Sequence, residues 1–165
     1  MKNFILSLSL ASLLLLIGCA VTSSNTAQSL PRAMSLSIGG QMGSSFKVFL
    51  CDDSLIYRYY ESGWERPRKT IKIHPSEKQW QRFWSELSQV EIWKWHRHYA
   101  PPKGEYIEDG TQWDILIVYN DNVILSDGDN TYPGNILGQF VLSEPSSRFD
   151  RFTSAVSELV GHPFK

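Results

Sequence analysis

Cysteine is scarce in this chain: of 165 residues only Cys19 and Cys51 carry a thiol, so no disulfide framework can hold the fold together. An excess of one charge is missing too. Sixteen Lys and Arg stand against 17 Asp and Glu, and that balance argues against nucleic acid or an anionic membrane surface as partner. No Gly-x-Ser-x-Gly elbow, Walker loop, zinc-protease helix or dinucleotide fingerprint is present, so no nucleophile, base or cofactor is implied. The longest apolar run, Phe4–Ile17, falls short of the ~20 residues that cross a bilayer. Aromatic residues, by contrast, make up 13% of the chain and supply the large side chains from which a core must be built.

That apolar run follows Lys2, the only charge near the start, and closes on Leu16-Ile17-Gly18-Cys19. The pattern is that of a signal peptide, and its last four residues resemble the lipobox of bacterial lipoproteins. The resemblance implies cleavage between Gly18 and Cys19, diacylglycerol on the Cys19 thiol and acylation of the new amine. Ala20, where inner-membrane lipoproteins carry Asp, resembles the outer-membrane sorting pattern and implies a position facing the periplasm. Residues 1–18 are then a signal peptide and residues 19–33 a lipidated cysteine with its tether. Ser, Thr, Asn and Gln dominate Ala20–Arg32, and a flexible stretch of that length spans roughly 20 Å. With Cys19 modified, Cys51 is the one free thiol. Its setting beside Asp52 and Asp53 is unsuited to a reactive thiolate, and it is expected to pack rather than react.

Residues 34–165 read as one α+β domain: a mainly antiparallel sheet of about six or seven strands carrying two amphipathic helices. Met34, Leu36 and Ile38 alternate with serines; Phe46–Cys51, Leu55–Tyr60 and Thr70–Ile73 continue an antiparallel meander. Ser76 and Gln79 fit a capping box that opens a helix with Trp80, Phe83, Trp84 and Leu87 on one face. Ile92–Tyr99 alternates Trp93 and Trp95 with Lys94 and His96 and reads as a strand. The run from Gly110 to Tyr132 reads as a hairpin at the centre of the sheet, turning at Asn120-Asp121-Asn122 and ending in an Asp127–Asn130 loop. Ser147–Asp150 opens the second helix, with Phe149, Phe152, Val156, Leu159 and Val160 inward and Gly161 and Pro163 as stop signals. The ordered set Trp80 with Phe83, Trp93-Lys94-Trp95, Asp109-Gly110 with Trp113, Gly128 through Pro133, and then a closing helix with Gly161 is similar to that of a group of small exported bacterial proteins and lipoproteins of unassigned function.

Several constellations could bind something. His96 and His98, two apart, would share one face of a strand as metal ligands do, but no local spacing supplies a third ligand. Trp64 sits in a polar loop that no amphipathic pattern explains. Either turn register sets Asp114 opposite another aspartate, Asp127 or Asp129, with Asp109 nearby. A basic neighbour such as Arg97, Lys103 or Arg66, helped by a bulge at Gly128, or a bound Ca²⁺ would relieve the repulsion. Trp64, Asp109, Asp114, Asp127, Asp129 and Tyr132 are therefore the candidate contacts for a ligand or partner. Leu116 and Val118, opposite in facing to Trp113, Ile115 and Ile117, leave an apolar patch if both helices cover the other side. The expectation is a lipid-anchored, non-enzymatic module of the bacterial envelope that recognises an envelope protein or small ligand; the alternatives are an envelope hydrolase and a metal-binding protein.

Overall fold

The computed structural model describes residues 30–104, 110–136 and 138–165. Strands β1 (Ala33–Gly39), β2 (Ser45–Cys51), β3 (Ser54–Tyr60) and β4 (Lys69–Ile73) form the expected antiparallel meander. Helix α1 (Glu77–Gln89) follows, and its capping box is present: the Ser76 hydroxyl accepts from the Gln79 amide at 3.3 Å while the Gln79 side chain accepts from the Ser76 amide at 2.9 Å. Two orphan donors of the first turn are thereby satisfied.

The chain between α1 and the next strand departs from the period-two expectation. Glu91 adopts a left-handed conformation (φ 52) and Ile92–Lys94 makes a single 3-10 turn, so only His98–Tyr99 is strand, β5. Trp95 is buried by this turn and its indole donates to the Val90 carbonyl at 2.9 Å, whereas Trp93 is half-buried. Beyond it, β6 (Gln112–Tyr119) and β7 (Asn122–Asp129) form a hairpin with Asn120-Asp121 as its two-residue turn. The glycine- and aspartate-rich stretch expected as a loop is strand as far as Asp129. Gly128 pairs with Trp113 in unbroken register, so there is no bulge there. Short strands β8 (Thr131–Pro133) and β9 (Phe140–Leu142) pair separately, and α2 (Ser147–Val160) closes the chain. Its cap is Ser146, which accepts from the Phe149 amide at 3.2 Å, and Gly161 ends it in the left-handed conformation (φ 67).

The seven strands lie in the order β4-β3-β2-β1-β6-β7-β5. The hairpin is not the centre of the sheet; β1 is, because it pairs with β2 on one side and β6 on the other. Among the described strands only β5 is parallel to its neighbour, β7. Both helices pack on one face. The Trp84 ring of α1 stacks on Tyr119 with centroids 3.7 Å apart, Phe149 of α2 lies 5.0 Å from Trp113, and both partners project from β6 with the same parity. Trp80, Phe83 and Leu87 of α1 and Phe149, Phe152, Val156, Leu159 and Val160 of α2 bury the expected faces against Leu36, Val48, Ile115 and Ile117.

Three tyrosines of this core link stability to pH. Burial, the largest cause in each case, pushes the Tyr57, Tyr99 and Tyr132 hydroxyls above the ordinary value of 10.0. As pH rises through 10.0 the unfolded chain releases these protons while the native chain still holds them. Their contribution, full below that pH, is therefore lost above it. A spectrophotometric tyrosinate titration run beside circular dichroism is expected to show late ionisation that coincides with unfolding. Ionisation of all seven tyrosines in one step near pH 10.0, with the fold intact, would refute this.

Candidate functional site

The face of the sheet turned away from the helices is built by strand parity alone. Residues directly opposite in neighbouring strands point to the same side. One rung runs Ile56, Phe49, Ser35, Leu116, Leu125 from β3 to β7, and the next runs Arg58, Lys47, Ser37, Asp114, Asp127. The first is apolar apart from its central serine. Along the second, charge changes sign from one end to the other. The expected apolar patch is present, and Val123 and Leu125 on β7 are among its most exposed members at 61% and 44%.

Beside these rungs lies a cleft of about 310 Å³, lined by Ser37, Lys47, Tyr60, Trp64, Gln112 and Asp114. Trp64 forms part of its wall, its ring edge-on to Tyr60 at 5.4 Å. Trp64 and Asp114 thus meet in one place, although fifty residues separate them in the chain. Strand alternation alone would have added Lys47, Ser37 and Gln112, once the neighbours of β1 were known.

Asp114 lies directly opposite Asp127, the first of the two registers considered. Relief comes from side chains other than those expected. The Ser37 hydroxyl donates to Asp114 at 3.1 Å, and His98 Nδ1 bonds the Asp127 carboxylate. Arg97 precedes β5, and it is His98, in register with Asp127, that pairs with it. His98 thereby takes up a place on the helix-free face. His96 does not share it: it precedes the strand, and its ring packs on Tyr99 and Phe140 at 5.8 and 5.1 Å. The pair of histidines therefore diverges. Among the described residues no three His, Cys, Asp or Glu side chains converge as a metal ion would require.

The remaining candidates are dispersed. Asp129 is exposed at the end of β7, on the same face. Tyr132 is only 2% exposed and packs on Phe149 at 4.9 Å, so it is a core residue that merely touches the wall of a second cavity. Asp109 and Cys19 lie outside the described residues. Cys51 is exposed at the end of β2, which overturns the expectation that it packs.

Two cations of this face stand without an acidic partner among the described residues. The Arg58 guanidinium lies 5.0 Å over the Phe49 ring, and its buried Nε has no acceptor. Lys47, directly opposite Arg58, makes no ion pair with a described residue either. Elsewhere acids and bases do pair, as Arg82 with Glu158 at 3.0 Å and Arg151 with Glu86 at 2.5 Å between the helices. The helix-free face is thus an apolar stripe beside two cations that form no ion pair with a described residue. No protein-family model matches the chain, and no curated protein matches it.

Proposed function

We propose that this chain is a lipid-anchored, non-enzymatic module of the bacterial envelope that recognises its partner with the helix-free face of the sheet. The observation that carries the reading is the segregation of the two faces: both helices pack on one, leaving Phe49, Leu116, Leu125 and Val123 uncovered beside Lys47, Arg58 and Asp114 on the other. Association draws on the apolar stripe, and the charges set orientation and choice of partner. The anchor would be Cys19, at the end of a polar tether that holds the domain close to the outer membrane on its periplasmic side.

Two measurements test the reading. Cys19→Ser should abolish incorporation of labelled palmitate and leave the protein unprocessed or soluble. Processed Cys19→Ser that still sediments with membranes would remove the anchor. A photoreactive residue at Leu125, in full-length protein in intact cells, should give protein adducts that the same residue at Glu158 on the helix side does not. Equal labelling from both positions, or none from Leu125, would remove the recognition face.

A further inference from the structure

Two adjacent rungs of the helix-free face are each complementary to themselves about β1. With β1 as origin, β2 and β6 lie one strand away on either side and β3 and β7 two strands away. In the apolar rung, Phe49 and Leu116 are equidistant from β1, as are Ile56 and Leu125, and Ser35 lies at the origin. In the polar rung, Lys47 and Asp114 are equidistant from it, as are Arg58 and Asp127, with Ser37 at the origin. Across β1 these two rungs are therefore symmetric in hydrophobicity and antisymmetric in charge.

We propose that the partner of this face is a second copy of the chain, related by a two-fold axis running along β1 in the plane between the two sheets. This rests on the helix-free face being the recognition surface. Rotation about such an axis exchanges the two sides of the sheet without shifting residues along the strands. Phe49 then meets Leu116 of the second copy, and Ile56 meets its Leu125. Lys47 meets Asp114, Arg58 meets Asp127, and each contact occurs twice, as an isologous interface demands. An axis across the strands would instead set Asp114 near Asp114 and Lys47 near Lys47, which like-charge repulsion opposes. The axis along β1 also agrees with the nearly aligned packing of stacked sheets.

The polar tether is a poor rival for the same place, because between Ala20 and Ser29 its only large aliphatic residue is Val21. Strands β3, β2, β1, β6 and β7, about 4.8 Å apart and roughly 23 Å long, offer on the order of 550 Å² per copy, at or just below the lower end of specific interfaces. A pair of that size is weak in dilute solution. Tethering to one membrane raises the effective concentration of copies and favours it.

The test uses two differently tagged full-length copies, co-expressed, solubilised together and recovered through one tag. Parent should co-recover with parent. Lys47→Asp with itself and Asp114→Lys with itself should each fall about tenfold or more, since each sets like charges face to face. Lys47→Asp co-expressed with Asp114→Lys should regain parental recovery, because every contact in that mixed pair joins opposite charges. Rescue in the mixture also shows that both variants fold. Failure of the parent to co-recover, undiminished self-recovery of both variants, or no gain in the mixture would overturn the two-fold. The photoreactive Leu125 protein separates the two readings. Adducts with other proteins and none with a second copy would overturn the dimer and keep the recognition face; no adduct at all would overturn both.

Discussion

Gly128→Ala is expected to cost about 3 kcal/mol, far more than an alanine usually does in a strand. A Cβ there would lie 2.4 Å from Cε2 and Nε1 of Trp113 and 2.5 Å from the Thr131 carbonyl oxygen. The indole has nowhere to retreat. Its Nε1 donates to that same Thr131 carbonyl at 3.0 Å, and Trp95, Tyr99 and Phe149 surround the ring at 6.3, 5.5 and 5.0 Å. Either the hydrogen bond breaks, stranding a buried donor, or β7 moves off β6. Gly43→Ala is the control: with φ +81 but no atom within 4 Å, it carries only the conformational cost, about 1 kcal/mol. Urea unfolding of the two variants decides the matter. A Gly128→Ala protein no less stable than Gly43→Ala would mean that Trp113 does not hold this position.

Phe149→Ala should be costlier still, about 3–5 kcal/mol, a large share of the roughly 5–15 kcal/mol by which a domain is stable. Phe149 is 1% exposed and stands where α2 meets the sheet, with Tyr132 at 4.9 Å, Trp113 at 5.0 Å and Phe152 at 5.8 Å. The cavity would open beside the ring that Gly128→Ala displaces. The two changes should therefore couple, the double variant losing about 1 kcal/mol less than the sum. Strict additivity in a double-mutant cycle would show that Trp113 does not relax into the vacated space.

What the sequence disclosed and what it withheld separate along physical lines. Signals that act within a few residues were legible: the Ser76 and Gln79 cap, the left-handed stop at Gly161, the alternation of Met34, Leu36 and Ile38, and with them the α+β class. Signals overridden by tertiary contact were not. The Asp127–Asn130 stretch has the composition of a loop, yet Gly128 is there because a tryptophan lies across it in a paired strand. Ile92–Tyr99 has the alternation of a strand, but Glu91 turns the chain sharply as it leaves α1. In the candidate site Trp64 and Asp114 were singled out on separate grounds. Their common cleft needed the adjacency of β2, β1 and β6, which no local pattern encodes. The relief of Asp114 and Asp127 by Ser37 and His98 was hidden for the same reason, and Tyr132 was misjudged because its burial depends on α2.

The central place of β1 bears on how the chain is made. Among the described strands it is the first to be synthesised, and β2, β3 and β4 complete its meander at once on one side. Its other edge pairs residues Ala33 through Gly39 with Val118 through Gln112, which follow about 80 residues later. At about 5–20 residues per second that edge waits on the order of 4–16 s, with Met34, Leu36 and Ile38 lacking the other half of the sheet and α2, the later of the two helices that cover them. Until then β1 keeps an open backbone ladder, and joining it to β6 is the most non-local strand pairing among the described residues, the kind of contact that slows folding.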